Sequence, residues 1–160
     1  METLTYKNIT FSVWDLGGQD SIRPYWRCYY TNTTAALIFV IDSADAARME
    51  IVKKEIEMLL GEQELKGAAL LVLANKQDIQ GALGEGEIAE RLELAKKCKE
   101  RYLSSLWVQE MLTHRNWSIR ACSAIKKEGL TEGFDWYPSK WSFLANIRLV
   151  DVINEQHGHK

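Results

Sequence analysis

The chain has 160 residues, of which 46% are hydrophobic, and its 20 basic and 22 acidic side chains give a net charge of -2. These values are typical of one soluble domain, and they exclude the strong positive charge of nucleic-acid-binding proteins. There is no apolar run that could span a bilayer and no signal-peptide pattern at the start, so we expect a cytoplasmic protein. The three cysteines, Cys28, Cys98 and Cys122, lack the paired spacing of a zinc site and are expected to be reduced thiols.

The predicted elements alternate between strands and helices. Residues 9–13 alternate apolar and polar side chains, as in a strand with one buried face, whereas 35–42 and 68–74 are nearly continuous apolar runs, as in strands buried on both faces. In chain order we expect strands at 2–6, 9–15, 35–42, 68–75 and 117–121, helices at 48–60, 85–92 and 130–136, and a short helical turn in a mobile loop at 20–30. This order is typical of a parallel α/β sheet.

Two polar clusters directly follow predicted strands. The first is Asp-Leu-Gly-Gly-Gln at residues 15–19, which offers an acid, two glycines that let backbone amides approach a ligand, and an amide able to orient water. The second is Asn-Lys-Gln-Asp at residues 75–78, after the apolar run 68–74. Because ligands of open α/β sheets bind at the carboxyl ends of strands, we expect both clusters on one side of the sheet.

Together these clusters resemble two motifs of the small GTPases, Asp-x-x-Gly of the second switch and the guanine-reading Asn-Lys-x-Asp. The sequence of residues 14–27 is similar to that of the ADP-ribosylation factor (Arf and Arf-like) family; it is Trp-Asp-Leu-Gly-Gly-Gln-Asp-Ser-Ile-Arg-Pro-Tyr-Trp-Arg. The similarity extends over about 2–92 and again over 114–136. It implies an α/β fold of the small-GTPase, P-loop NTPase-like type, with a mostly parallel sheet flanked by helices.

The resemblance assigns a base-reading role to five residues. Asp78 would accept hydrogen bonds from the guanine ring nitrogen and exocyclic amine, and adenine would leave this carboxylate facing an acceptor. Asn75 would bond the far edge of the base, and the Lys76 stem would lie along the ring. Ser123 and Ala124 lie in a segment that resembles the family's third guanine-contacting loop, where the amide at the Ala124 position meets the base.

The resemblance also assigns the phosphate side of the site, with GTP or GDP and Mg²⁺ as the implied cofactors. Gly18 would offer its amide to the γ-phosphate, so that only the triphosphate orders the second switch. Asp15 would hold the magnesium ion through a water molecule. Gln19 would orient the attacking water, helped by an arginine from a GTPase-activating partner.

An aromatic surface is the third expectation. Trp14 lies on the polar face of its strand, where a large aromatic is either an interaction residue or packs under the loop beside it. In the Arf family, residues matching Trp14 and Tyr29 belong to a surface that effectors recognise. The resemblance therefore implies effectors, an exchange factor and a GTPase-activating protein of the Arf type as partners, and a place in vesicle-mediated transport at the Golgi or endomembrane surface.

Other parts of the family pattern do not occur in the printed sequence. We find no Gly-x-x-x-x-Gly-Lys-Ser/Thr phosphate loop, no first switch, and no amino-terminal amphipathic helix for peripheral membrane attachment. In the family fold the first strand lies between those matching 9–15 and 35–42, so its loss would leave two unpaired edges. We therefore expect impaired GTP binding, with a non-catalytic interaction module that presents Trp14 and Tyr29 as the alternative function.

Two segments depart from the family. We expect residues 1–136 to form an incomplete Arf-like domain with an insertion at about 95–113, which either lengthens the preceding helix or docks on a partner or a membrane surface. Residues 137–160 are divergent. Helical spacing predicts that they restart as a helix after Pro138, while the alternation in 147–153 leaves open a strand in the vacant central position.

Overall fold

Six strands form one sheet in the order β1-β2-β6-β3-β4-β5. The structure, a computed structural model, describes residues 1–6, 9–17, 21, 23–31, 33–98, 115–136 and 144–151. The strands are β1 Glu2–Tyr6, β2 Ile9–Gly17, β3 Thr34–Asp42, β4 Ala69–Asn75, β5 Trp117–Ala121 and β6 Leu144–Asp151. β1 pairs antiparallel with β2, and all the other pairs are parallel. The predicted α/β class and its five strands are therefore confirmed.

Short helices connect these strands. They are α1 Met49–Gly61, α2 Glu85–Arg91, α3 Leu94–Lys97 and α4 Leu130–Asp135, with 3-10 helices at Arg23–Tyr29, Ala46–Arg48 and Gln63–Leu65. The helices predicted at 48–60, 85–92 and 130–136 are therefore present, and their ends differ from the prediction by at most one residue. The helical turn expected within 20–30 is the 3-10 helix Arg23–Tyr29, which is explained by Pro24 near its start, since proline suits the first turn of a helix.

Apolar side chains cover both faces of the sheet. On one face α1, α2 and α3 pack on alternate residues of β3 and β4, including Leu37, Phe39 and Val72. On the other face the core contains Phe11 of β2, Ile38 of β3 and Leu71 of β4, with α4 packed against them. β3 and β4 are therefore buried on both faces, as their continuous apolar runs predict.

The strand β6 lies in the middle of the sheet, which corrects the helix predicted after Pro138. Its register with β2 runs from Thr10 beside Leu144 to Gly17 beside Asp151, and on its other side β6 pairs with β3. The two edges expected to be unpaired are therefore both paired. The alternative of a strand in the vacant position is the correct one for these residues, because pairing there satisfies backbone groups of β2 and β3 that a helix would leave unpaired.

The insertion does not simply lengthen α2. This helix ends at Arg91, and Glu93 has a φ of 52°, in the left-handed region, before the separate short helix α3 begins at Leu94. A residue with that backbone conformation interrupts the helical hydrogen-bond ladder. The part of the predicted insertion beyond Cys98, like the expected hairpin turn at residues 7–8, lies outside the described residues.

Two of the three cysteines are buried. Cys28 is exposed, whereas Cys98 and Cys122 are buried, and burial raises the pKa of both buried thiols to about 11. All three are free thiols. Among the described residues no helix is long and apolar enough to cross a membrane, and no cluster of histidine, cysteine and acidic side chains could hold a metal ion.

Removal of β6 is expected to abolish cooperative folding. A chain ending at residue 143 leaves the facing backbone groups of β2 and β3 unpaired, at about 1–3 kcal/mol for each buried group, against a total stability of about 5–15 kcal/mol for a typical domain. Urea unfolding followed by circular dichroism tests this. A chain ending at Asp151 is the control and should keep its transition. An unchanged urea midpoint for the shorter chain would show that the fold does not need β6.

Candidate functional site

The loops that leave β4 and β5 are joined by direct hydrogen bonds. The Asn75 side-chain oxygen accepts a hydrogen bond of 2.9 Å from the backbone amide of Ala124, and the backbone amide of Gln77 donates to the carbonyl of Cys122 at 3.1 Å. These strands are parallel neighbours, so their carboxyl ends meet at one edge of the sheet. The predicted base-reading residues of two separate segments are therefore brought together.

Asp78 is exposed at this edge and its carboxylate is oriented by Ser123. The Ser123 hydroxyl, itself buried, donates to Asp78 Oδ1 at 2.5 Å. This hydrogen bond is the main cause that holds the pKa of the Asp78 carboxyl below its usual value, and the positive charge of Lys126 acts in the same direction. The carboxylate is therefore charged at neutral pH and available as a hydrogen-bond acceptor.

Lys76 contacts a residue that the sequence patterns did not single out. Its ammonium group lies 2.7 Å from Oδ2 of Asp42, the last residue of β3, and the lysine side chain is about one-third exposed. Asp42 also accepts a hydrogen bond from the backbone amide of Ala44 through its other oxygen. The available signal was position: Asp42 is a carboxylate at the carboxyl end of a buried strand, beside the strand that carries the cluster at 75–78.

The loop carrying Ser123 and Ala124 is closed by a tight turn. Ser123 and Glu128 exchange two backbone hydrogen bonds of 3.0 and 3.1 Å, and the amide of Lys126 donates to the Ser123 hydroxyl oxygen. The turn ends at Gly129, which has a φ of +76°. A Cβ atom at this glycine would lie only 2.1 Å from the Ala121 carbonyl oxygen, so the close approach of turn and strand requires glycine.

The other predicted cluster lies across the sheet at the end of β2. Asp15 is exposed there, and the neighbouring Leu16 is buried. The indole nitrogen of Trp26, a residue only 2% exposed, donates to the Gly17 carbonyl at 2.9 Å and so anchors the 3-10 helix Arg23–Tyr29 to the strand end. Gly18 and Gln19 lie outside the described residues. The structure therefore positions the start of the predicted second switch but not its phosphate-side residues.

Two ion pairs fix the 3-10 helix Arg23–Tyr29 to α1 and to the residue that follows it. Arg23 pairs with Glu55 at 3.0 Å, with both side chains largely buried, and Arg27 pairs with Glu62 at 2.7 Å. A cleft of about 470 Å³ lies between the two helices and is lined by these four side chains, Pro24, Trp26, Tyr30, Met58 and Leu59. None of the predicted base-reading residues lines it, so this cleft is separate from the edge formed by β3, β4 and β5.

Trp14 and Tyr29 form a ring pair on the surface. Their centroids are 5.6 Å apart at an interplanar angle of 49°, a tilted arrangement of the kind aromatic pairs prefer. Trp14 is half-buried and Tyr29 is 40% exposed. Trp14 thus packs against the 3-10 helix Arg23–Tyr29, while the ring pair keeps an accessible face. Its position therefore has features of both interpretations, an interaction residue and a residue packed against the neighbouring loop.

Comparisons with known proteins agree with these features. Residues 1–141 match the model of the ADP-ribosylation factor family. The chain is 50% identical over 156 residues to ADP-ribosylation factor-like protein 1 of Saccharomyces cerevisiae, covering 98% of this chain and 70% of that protein. It is 48% identical over 136 residues to ADP-ribosylation factor 1 of Brassica rapa, covering 85% of this chain and 66% of that protein.

A solved structure shows the same fold. The Arl6 BBS3 small GTPase of Trypanosoma brucei, with the bound nucleotide analogue GppNp, is similar with a TM-score of 0.72 and 31% sequence identity. The similarity covers 85% of this chain and 74% of that one. This chain therefore spans only part of the length of each of these proteins.

Replacement of Gly129 by alanine is expected to destabilise the fold by about 1–3 kcal/mol, because the new Cβ atom clashes with the Ala121 carbonyl and the backbone φ is unfavourable for alanine. Gly67→Ala is the matched control, since no atom lies within 4 Å of its added Cβ. Equilibrium urea unfolding measures both. Equal midpoints for the two variants would contradict the close approach at Gly129.

Proposed function

Because this chain belongs to the ADP-ribosylation factor family of small GTPases, a family of GTP-binding switches, we propose that its site binds the guanine base of GTP or GDP. The observation that carries the proposal is the hydrogen-bonded assembly of Asn75, Asp78, Ser123 and Ala124. Two segments nearly fifty residues apart in sequence are locked together there, and the ordered groups are those that the recognition of guanine requires.

The charged Asp78 carboxylate is the group that selects the base. It accepts hydrogen bonds from the ring N–H and exocyclic amine of guanine, whereas adenine presents an acceptor at the corresponding ring position. Ser123 already holds one oxygen of this carboxylate, so the Asp78 side chain loses little conformational freedom when a ligand binds. Asn75, itself held by the Ala124 amide, faces the other edge of the base, and the Lys76 stem supports the ring.

The phosphate side of the site gives less support for nucleotide binding than the base side does. β6 occupies the middle of the sheet and ends at Asp151, in register with Gly17 of β2 and Val40 of β3. The next four residues in the sequence are Val-Ile-Asn-Glu, which have neither the glycines nor the lysine of a phosphate loop. The described residues thus support binding of the base more than binding of the phosphates, and we propose that the chain binds GTP weakly. Asp15, Gly18 and Gln19 keep their proposed magnesium, phosphate and water-orienting roles.

The wider role is inferred from the family. We propose that the chain acts in vesicle-mediated transport at the Golgi or another endomembrane surface, with effectors, an exchange factor and a GTPase-activating protein of the Arf type. The basis is the similarity to proteins named ADP-ribosylation factors. The division into an Arf-like part, 1–136, and a divergent part, 137–160, belongs to the same proposal.

A second candidate function is an interaction module that does not turn over nucleotide. The ring pair of Trp14 and Tyr29 favours it, since a tilted aromatic pair with an exposed face is the kind of anchor that protein interfaces use. This pair is built from β2 and the 3-10 helix Arg23–Tyr29, and Trp26 and two ion pairs fix that helix. It can therefore be presented without a bound nucleotide.

Guanine ligands are expected to raise the melting temperature of the chain, because a ligand that binds only the folded state stabilises it. Guanosine, GDP and GTP should give small and similar shifts, since the base supplies most of the binding energy, and ATP should give none. Differential scanning fluorimetry with magnesium present measures this. A GTP shift much larger than the guanosine shift would contradict weak phosphate binding, and an equal ATP shift would contradict guanine selection.

The variant Asp78→Ala is expected to lose the guanosine shift relative to its own ligand-free melting temperature. Glu128→Gln changes another exposed carboxylate, at the end of the 123–128 turn, and should keep the shift. A shift retained in Asp78→Ala would place guanosine binding elsewhere.

For the second candidate, Trp14→Ala is expected to weaken the binding of an Arf-type effector domain by about tenfold or more, as truncation of an interface anchor does. Tyr25→Ala is the control, since Tyr25 is 63% exposed and lies outside the ring pair. Isothermal titration with and without GTP measures both variants. Equal affinities for the two variants would exclude the ring pair as the anchor.

A further inference from the structure

The Lys76 residue is held at its backbone and at the end of its side chain. Its φ of 68° lies in the left-handed region, which residues other than glycine adopt only where surrounding contacts hold them there. Its carbonyl accepts a hydrogen bond of 3.0 Å from the Ile79 amide, and the Gln77 amide next to it donates to the Cys122 carbonyl at 3.1 Å. At the other end, the ammonium group lies 2.7 Å from Oδ2 of Asp42. The course of the Lys76 side chain is therefore set before any ligand binds.

The carboxylate of Asp42 is itself oriented. Its Oδ1 accepts a hydrogen bond of 3.0 Å from the Ala44 amide, while Oδ2 faces the Lys76 ammonium. The Asp42 side chain is 14% exposed and that of Lys76 is 33% exposed. An ion pair that is partly removed from water is less screened than one on the open surface. Asp42 is therefore well placed to restrict the motion of Lys76.

The charge of Asp42 is not needed to join the ends of β3 and β4. The two strands already pair from Ala36 beside Ala69 to Asp42 beside Asn75. Beyond them the Ser43 amide donates to the Asn75 carbonyl at 3.0 Å, and the Ser43 carbonyl accepts from the Leu83 amide at 2.8 Å. Partly exposed ion pairs add little to the stability of a fold. The main consequence of this ion pair is thus the position of the lysine.

A long side chain that packs on a ligand loses conformational freedom, and this loss weakens binding unless the side chain is ordered beforehand. In the proposed guanine site the Lys76 stem supports the ring of the base. We propose that Asp42 is a positioning residue of this site, and that it acts by holding Lys76 in place before the base binds. This inference rests on the proposed function and names a further residue on which base binding depends.

The first test compares guanosine binding by the wild-type chain and by Asp42→Asn. Asparagine keeps an oxygen for the Ala44 amide but has no charge to hold the lysine. Guanosine is the probe because it has no phosphates, so a released ammonium group gains no attraction to the ligand. We expect the dissociation constant to rise about threefold to tenfold, as measured by NMR titration of the full chain labelled with ¹⁵N.

Asp45→Asn is the matched control. Asp45 lies in the same loop and pairs with Arg48 rather than with Lys76, so its replacement should leave guanosine affinity unchanged. Both variants should melt close to the wild-type temperature, because each loses one partly exposed ion pair. Equal affinities of the wild-type chain and Asp42→Asn overturn this inference and leave the proposed function standing. No binding of guanosine by the wild-type chain overturns both.

A double-mutant cycle shows whether Asp42 acts through Lys76. Lys76→Met keeps an apolar stem but has no charge for Asp42 to hold. Adding Asp42→Asn to this variant should cause no further loss of guanosine affinity, since the interaction is already absent. A general effect of Asp42 on the shape of the site would weaken binding equally in both backgrounds. A further loss of threefold or more in the double variant would therefore overturn the inference.

Discussion

The fold depends on the pairing of β6 with β2 on one side and with β3 on the other. β1 and β2 form an antiparallel hairpin, and β3, β4 and β5 form a parallel group, and within the sheet the described strand that hydrogen-bonds to both groups is β6. An isolated two-stranded hairpin is at best marginally stable in water. The central strand therefore supplies the sheet pairing of β2, and packing of Phe11 and the ion pair of Arg23 with Glu55 add to it.

This arrangement divides the candidate site into two halves that are held in place by different structural elements. The base-reading half is made by β4, β5 and their loops, and its hydrogen bonds run from Asn75 to Ala124 and from Ser123 to Asp78. The switch half begins near Gly17. The Gly17 carbonyl accepts a hydrogen bond from the Trp26 indole, and Gly17 is in register with Asp151.

The sequence was sufficient to predict the elements whose local pattern has one interpretation. Continuous apolar runs predicted β3 and β4, and the family resemblance predicted that Asn75, Asp78 and Ala124 would converge. It was not sufficient for β6, because helical spacing after Pro138 and the alternation in 147–153 compete, and pairing with distant strands decides between them. The Asp42 contact was missed for a similar reason, since it joins the ends of two strands and no motif records it.

Base recognition and phosphate recognition are separable in this fold for a structural reason. The proposed base-reading residues are held by side chain to backbone contacts between adjacent loops, and these contacts do not involve the central strand. Phosphate recognition in a parallel sheet depends instead on the loop that leaves the carboxyl end of the central strand. Here that strand is β6, and its end carries Asp151. The proposed guanine-selecting groups can thus be in place independently of the sequence that follows the central strand.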